Sequence, residues 1–159
     1  MAIDVDVPDT LPPLSLDRML ISRAITNIIE NALFAMPSGG TLSIQARLLV
    51  RDGTPTPTIT PKSVADIELR ITDTGVSMNE EAASRVFEPY FSTKAAGTGL
   101  GLSIARRNVE LHGGTIAIRS KRGDGTAVII TLPVLAQPAA PATPDSPEDT
   151  TRTSAALAR

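Results

Sequence analysis

Two hydrophobic rhythms divide the chain. Ile21, Ile25, Ile28, Ile29, Ala32 and Met36 recur three and four residues apart, which puts them on one face of a helix. Ser15 or Asp17 can start that helix, and a carboxylate at Asp17 suits the free amides and positive dipole end of a first turn. Pro37, Gly39 and Gly40 stop it. Residues 66–72 (DIELRIT) alternate with period two instead, as a strand with one buried face does. Residues 41–50, 115–120 and 126–132 also read as strands, and residues 4–7 as a short one ended by Pro8, Pro12 and Pro13. The turn KRGDG (121–125) joins the last two strands as a hairpin. Asn79 can cap a short helix over 80–86, and a second long helix runs from Leu102 to His112 until Gly113 and Gly114 end it. Hairpin-joined strands with helices between them predict an α/β two-layer sandwich, a mixed sheet covered by helices on one face.

Two stretches lack either rhythm. Residues 51–65 hold Pro55, Pro57 and Pro61 and read as a long loop. From Gln137 onward large apolar residues almost vanish, and Pro138, Pro141, Pro144 and Pro147 recur every third position. The folded domain is therefore expected over 1–135, with a disordered Pro/Ala/Thr-rich tail or linker over 136–159. The chain's 159 residues suit one such domain, and 42% apolar content is enough for a core. A net charge of -2 gives no electrostatic case for nucleic acid. The absence of Cys excludes disulfides and thiolate chemistry, and the single His112 excludes a multi-histidine metal cage. No membrane-spanning run or signal-peptide pattern stands out, so a cytoplasmic location is the default expectation.

The chemistry concentrates in STKAAGTGLGLSIARR (92–107), where Gly97, Gly99 and Gly101 alternate after Lys94. A Walker A loop places its lysine after the last glycine, so that design fails. A dinucleotide GxGxxG fingerprint would need glycine at Ile104 and a preceding strand, and it fails as well. Simpler physics remains. Glycines admit a close ligand, and the helix that follows points its free amides at an anion. The same glycines also fit a surface loop capping an ordinary helix.

Other polar positions need a reason. Asn27 and Asn31 lie one turn apart on a helix face, although Asn is a poor helix-interior residue. Their amide oxygens suit a hard cation such as Mg²⁺; a solvated polar stripe would also explain them. Asp73 and Gly75 follow a strand end. A carboxylate there can accept from an adenine amino group beside a glycine that admits a flat ring, and an Asp-Thr-Gly turn fits equally well. Lys94, Arg106 and Arg107 can neutralise phosphate or simply be solvated. His112, at a helix end, reads as structural. Phe87, Tyr90 and Phe91 are three of only four aromatic residues and stand beside the glycines, where they can anchor a lid.

In series, NIIENA (27–32), DTGVSM (73–78), VFEPYFSTK (86–94), GTGLGLSIARRNVELHGG (97–114) and GDGT (123–126) strongly resemble the ATP-binding catalytic domain of bacterial sensor histidine kinases. That domain has the Bergerat fold shared with gyrase, mismatch-repair and heat-shock chaperone ATPases. The resemblance spans roughly residues 3 to 134. It implies a mixed, mostly antiparallel five-stranded sheet with about three helices on one face. It implies Asn31 as the Mg²⁺ ligand, with Asn27 on the same phosphate side, and catalytic roles for Asn27, Asn31 and Lys94. It also implies Asp73 as acceptor from the adenine amino group, Gly75 as room for the ring and Thr126 as support for Asp73. Ala35, Lys94, Gly97, Thr98, Gly99, Leu100, Gly101 and Leu102 complete the implied ATP site.

Three departures qualify what the resemblance implies. The first glycine box usually reads DxGxG, and here Ser77 takes the second glycine's place. Relatives that hydrolyse ATP carry a glutamate base four residues before the metal-binding Asn; this chain has Asn27 there, so water is poorly activated. No acceptor-histidine helix pair fits before Ile3. The implied activity is therefore donation of a γ-phosphate to a histidine on a separate dimerisation domain, with a response regulator downstream and a monomeric chain. A free-standing anti-sigma-type serine kinase and a non-catalytic nucleotide-binding module are the alternatives.

Overall fold

A computed structural model describes residues 1–50, 65–92, 97–121 and 123–134. The remainder of the expected loop at 51–65, Lys94 and the expected tail from 136 lie outside the described residues. The elements are β1 (Ala2–Asp6), α1 (Arg18–Ala35), β2 (Thr41–Val50), β3 (Ala65–Asp73), α2 (Glu80–Arg85), α3 (Gly101–Glu110), β4 (Thr115–Lys121) and β5 (Gly125–Pro133). They form one five-stranded sheet in the order β1-β2-β3-β5-β4. Only the β1–β2 pair is parallel; the other three are antiparallel. The expected mixed sheet and its three helices are both present.

Local chemistry accounts for the ends of α1. Asp17 caps it, its Oδ1 accepting from the amides of Met19 at 2.9 Å and Leu20 at 3.1 Å. The apolar stripe then buries Ala24, Ile28 and Ala32. These meet Ala105 and Val109 of α3 and the inward residues Leu42, Ile71, Val128, Ile130 and Leu132 of the sheet. The period-two pattern of β3 has the predicted effect. Ile67 and Ile71 are buried among apolar side chains, while Glu68 belongs to the opposite face. There Arg47 lies 2.8 Å and Arg70 3.3 Å from Glu68 Oε1, so this largely buried carboxylate has two cationic partners.

His112 is structural, as its position suggested. The Asp17 amide donates to His112 Nε2 at 2.9 Å, and His112 Nδ1 lies 2.7 Å from the Asn108 carbonyl. A carbonyl only accepts, so Nδ1 carries the hydrogen and Nε2 is the bare acceptor. Asn108 Nδ2 in turn donates to the Leu20 carbonyl at 2.9 Å. This chain of bonds ties the C-terminal end of α3 to the N-terminal end of α1. Replacing His112 with Ala is expected to lower stability by about 1–3 kcal/mol, because the bonded backbone groups lose their partner. Urea unfolding followed by circular dichroism measures it, and an unchanged midpoint would remove the bond from the account.

Candidate nucleotide site

A cleft of about 990 Å³ opens between α1, the end of β3, the loop after it and the start of α3. That volume lies within the ~300–1,000 Å³ range of small-molecule and cofactor sites. Asn27, Asn31, Ala35, Asp73, Gly97, Thr98, Gly99, Gly101, Leu102 and Thr126 all line it. Positions almost a hundred residues apart in sequence thus share one cavity. Gly75 and Leu100 do not line it.

Asp73 forms the deep end. It is only 4% exposed, and its Oδ1 accepts from the Gly75 amide at 2.9 Å. Burial pushes its carboxyl above the ordinary range, and backbone hydrogen bonds from Gly75 and Thr126 partly oppose this. Thr126 is the register partner of Asp73 across β3 and β5. Its hydroxyl lies 2.9 Å from Ser120 Oγ.

The structure supplies its own reason for Gly75. A Cβ there would overlap the Ala35 carbonyl oxygen and stand 2.8 Å from the Ala35 Cβ. The neighbouring Val76 amide donates to the Ala35 carbonyl at 2.8 Å. The glycine lets the loop close onto the last residue of α1, a contact invisible in sequence.

The two asparagines form the opposite wall. Asn31 Nδ2 donates along its own helix to the Asn27 carbonyl at 2.9 Å. Asn27 Nδ2 donates across to the Gly101 carbonyl at 3.0 Å. Asn27 therefore fixes the start of α3 against α1. Leu100 is the N-cap residue of α3 and provides no side-chain cap. The first-turn amides of a helix have no partners within it, so this end is open to an anion facing the cleft. Asn27→Leu removes the link and is expected to cost about 1 kcal/mol of stability, checked by thermal unfolding.

The glycine-rich stretch enters α3 through a fixed stem. Tyr90 has φ +64° and Gly99 φ +68°. The Tyr90 amide donates to the Gly99 carbonyl at 3.0 Å. A Cβ on Gly99 would come within 2.5 Å of the Tyr90 carbonyl carbon, so the two stems touch through backbone alone. Of the aromatic trio, Phe91 lines the cleft under the Arg85 guanidinium, 4.7 Å from its ring centroid. Tyr90 is 80% exposed. Arg106 pairs with Glu110 at 2.7 Å and lies 5.9 Å from the Phe87 ring.

The family model for histidine kinase-, DNA gyrase B- and HSP90-like ATPases matches residues 16–136. The chain belongs to this family. Among its histidine kinase relatives, Sporulation kinase E of Bacillus subtilis is 32% identical over 132 residues, 83% of this chain and 16% of that protein. Sensor histidine kinase ZraS of Escherichia coli K12 is 34% identical over 126 residues, covering 79% of this chain and 24% of that one. The chain thus spans a quarter or less of these two relatives. A mycobacterial sensor histidine kinase, MprB, superposes with a TM-score of 0.64 at 29% identity, over 82% of this chain and 83% of that structure. This histidine kinase-type ATPase domain therefore has the Bergerat architecture that its motifs implied.

The cleft lining also includes residues for which no role was legible in sequence, among them Met78, the last residue of the DTGVSM motif. Ser77 stands out in sequence only as a departure from a glycine pattern, yet it lines the cleft and bonds to the β4–β5 hairpin.

Proposed function

We propose that the cleft binds ATP with Mg²⁺ and presents the γ-phosphate to a histidine on a separate dimerisation domain, in two-component signalling. The observation that carries this reading is the pairing of a buried carboxylate at one end of the cleft with an uncapped helix start at the other. Asp73 would accept from the adenine amino group, and Thr126 would flank the base. The α3 amides and Gly97, Thr98, Gly99, Gly101 and Leu102 would surround the phosphates, with Leu100 as the residue that turns the chain into α3. Lys94 would add positive charge from the same stretch.

The donor set fits a magnesium ion that arrives with its nucleotide. No cluster of three or more His, Asp or Glu suited to a metal occurs among the described residues. Asn31 offers a neutral amide oxygen, which suits an ion that keeps waters and phosphate oxygens as its other ligands. The bound ion would supply charge neutralisation on the phosphates. This chain's residues contribute positioning: Asn27 anchors α3 through the Gly101 carbonyl, and Asp73 fixes the base. Phosphoryl transfer needs little more than that placement and charge stabilisation. The nucleophile would be an imidazole nitrogen of the partner, and ADP the leaving group. With Asn27 where hydrolytic relatives carry glutamate, the isolated chain is expected to turn ATP over negligibly.

We place the reaction in the cytoplasm, with the chain monomeric, neither nucleic acid nor the membrane in contact with it, and a response regulator receiving the phosphate afterwards. Among the described residues no helix is long and apolar enough to cross a membrane. Isothermal titration of the chain with Mg-ATP tests the binding step. Incubation of the chain, γ-labelled ATP and a histidine dimerisation domain, followed by acid treatment, tests the acceptor. Acid-labile label on that domain supports the reading; acid-stable label or none contradicts it.

A further inference from the structure

The loop between Asp73 and α2 is tethered at both ends of its short course. On one side it is held to α1 and β2, through Val76 to Ala35 and through the Thr74 amide to the Thr41 carbonyl at 3.2 Å. On the other side it is held to the turn between β4 and β5. Ser77 Oγ donates to the Lys121 carbonyl at 2.8 Å and accepts from the Gly125 amide at 3.2 Å. One residue later the Met78 amide donates to Ser120 Oγ at 2.8 Å. Ser120 Oγ in turn contacts Thr126 Oγ1 at 2.9 Å. The loop therefore bridges the two walls of the deep end of the cleft, and a serine hydroxyl makes the junction with the hairpin.

We propose that Ser77 is a positioning residue for the nucleotide base: its hydroxyl clamps the loop after Asp73 to the β4–β5 turn and so sets the width of the base-binding end. This rests on the nucleotide reading given above. Ser77, Met78 and Thr126 all line the cleft, so a shift of loop against hairpin changes the cavity directly. Both partners of Ser77 are backbone groups, so any residue with a β-hydroxyl can make the bonds. A glycine, which the resembling domains carry here, has no atom to make either. The clamp is thus a property of this chain rather than of the shared motif.

Its signature is an effect on the base and not on the phosphates. Titration calorimetry of the full 159-residue chain with AMP, ADP and ATP in the presence of Mg²⁺ reads it. Thermal unfolding run in parallel keeps every variant at a temperature where it is folded. Ser77→Ala is expected to raise Kd for all three nucleotides by one common factor of about fivefold, the size of a lost hydrogen-bonded tether. Ser77→Thr is expected to stay within about twofold of wild type. Ser120→Ala removes the parallel Met78 tether and should show the same common factor, so the proposal stays testable even where Ser77→Ala fails to fold. Ser84→Ala, on the exposed face of α2, is the control expected to bind as wild type. An effect confined to ATP, or unchanged AMP affinity in a folded Ser77→Ala, would overturn the clamp while leaving nucleotide binding intact. A wild-type chain that binds none of the three would overturn the nucleotide reading itself.

Discussion

Asp73→Asn is expected to weaken ATP binding by about 10- to 150-fold, the equivalent of the ~1.5–3 kcal/mol carried by a hydrogen bond to a charged acceptor. The amide keeps an oxygen for the Gly75 amide but turns an NH₂ toward the adenine amino group, donor against donor. The unliganded fold responds in the opposite sense. Burial disfavours the Asp73 carboxylate, so its folded-state proton is held to higher pH than in the unfolded chain. Between those two values the native state binds more protons than the unfolded state, and stability falls as pH rises through the interval. Above the folded-state value the wild-type apo protein carries that whole penalty, and Asp73→Asn does not. On that side of the interval the variant should therefore be at least as stable as wild type, and its stability should lose this pH dependence. Calorimetric titration paired with urea unfolding across pH checks both halves. Wild-type affinity in the variant would remove Asp73 from the base site.

Gly125→Ala is expected to cost about 3–5 kcal/mol and to abolish nucleotide binding with it. Gly125 has φ +82°, and a Cβ on it would overlap the Asp73 carbonyl oxygen and stand 2.8 Å from its carbon. The obstacle is backbone, so β3 and β5 would have to part where Asp73 and Thr126 are in register. Gly123 supplies the internal comparison. It has φ +88° with nothing within 4 Å of a built Cβ. Gly123→Ala should cost only the left-handed conformational penalty, about 1–2 kcal/mol. Urea unfolding of the two variants side by side measures the difference. Equal midpoints would mean that the β3–β5 contact is looser than its geometry indicates.

The elements were legible in the sequence because each rhythm has one geometric outcome. The three- and four-residue spacing of α1 gave its buried face, and DIELRIT gave the two faces of β3. The hairpin of β4 and β5 was legible from its turn. The insertion of β5 between β3 and β4 was not, since strand neighbours are chosen by tertiary packing rather than by local pattern. For the site, Asn27, Asn31, Asp73, Thr126 and the glycines were legible as a series of motifs, though each alone fitted a bland reading. What stayed hidden depends on backbone approach between distant segments. Gly75 was expected to admit a ring; the closest neighbour of its missing side chain is Ala35. Asn27 was placed by the phosphates, and its amide nitrogen holds the Gly101 carbonyl. Leu100, expected in the site, is absent from the cleft lining. Residue type cannot encode such contacts, because they are fixed by how two stretches of main chain meet.

The backbone clasp between Tyr90 and Gly99 separates two problems that one cavity must solve. Tyr90 and Gly99 are held together by main-chain atoms, so the two ends of the connecting segment are fixed relative to each other. Closure entropy grows only logarithmically with loop length, so doubling that segment would cost about 0.6 kcal/mol. Residues can be added, removed or exchanged there without paying at the Asp73 end, which is anchored by β3, β5 and α1. The α3 end of the cleft is thus anchored separately from the Asp73 end, and a library of lengths inserted between Phe91 and Thr98 is expected to vary the α3 end alone.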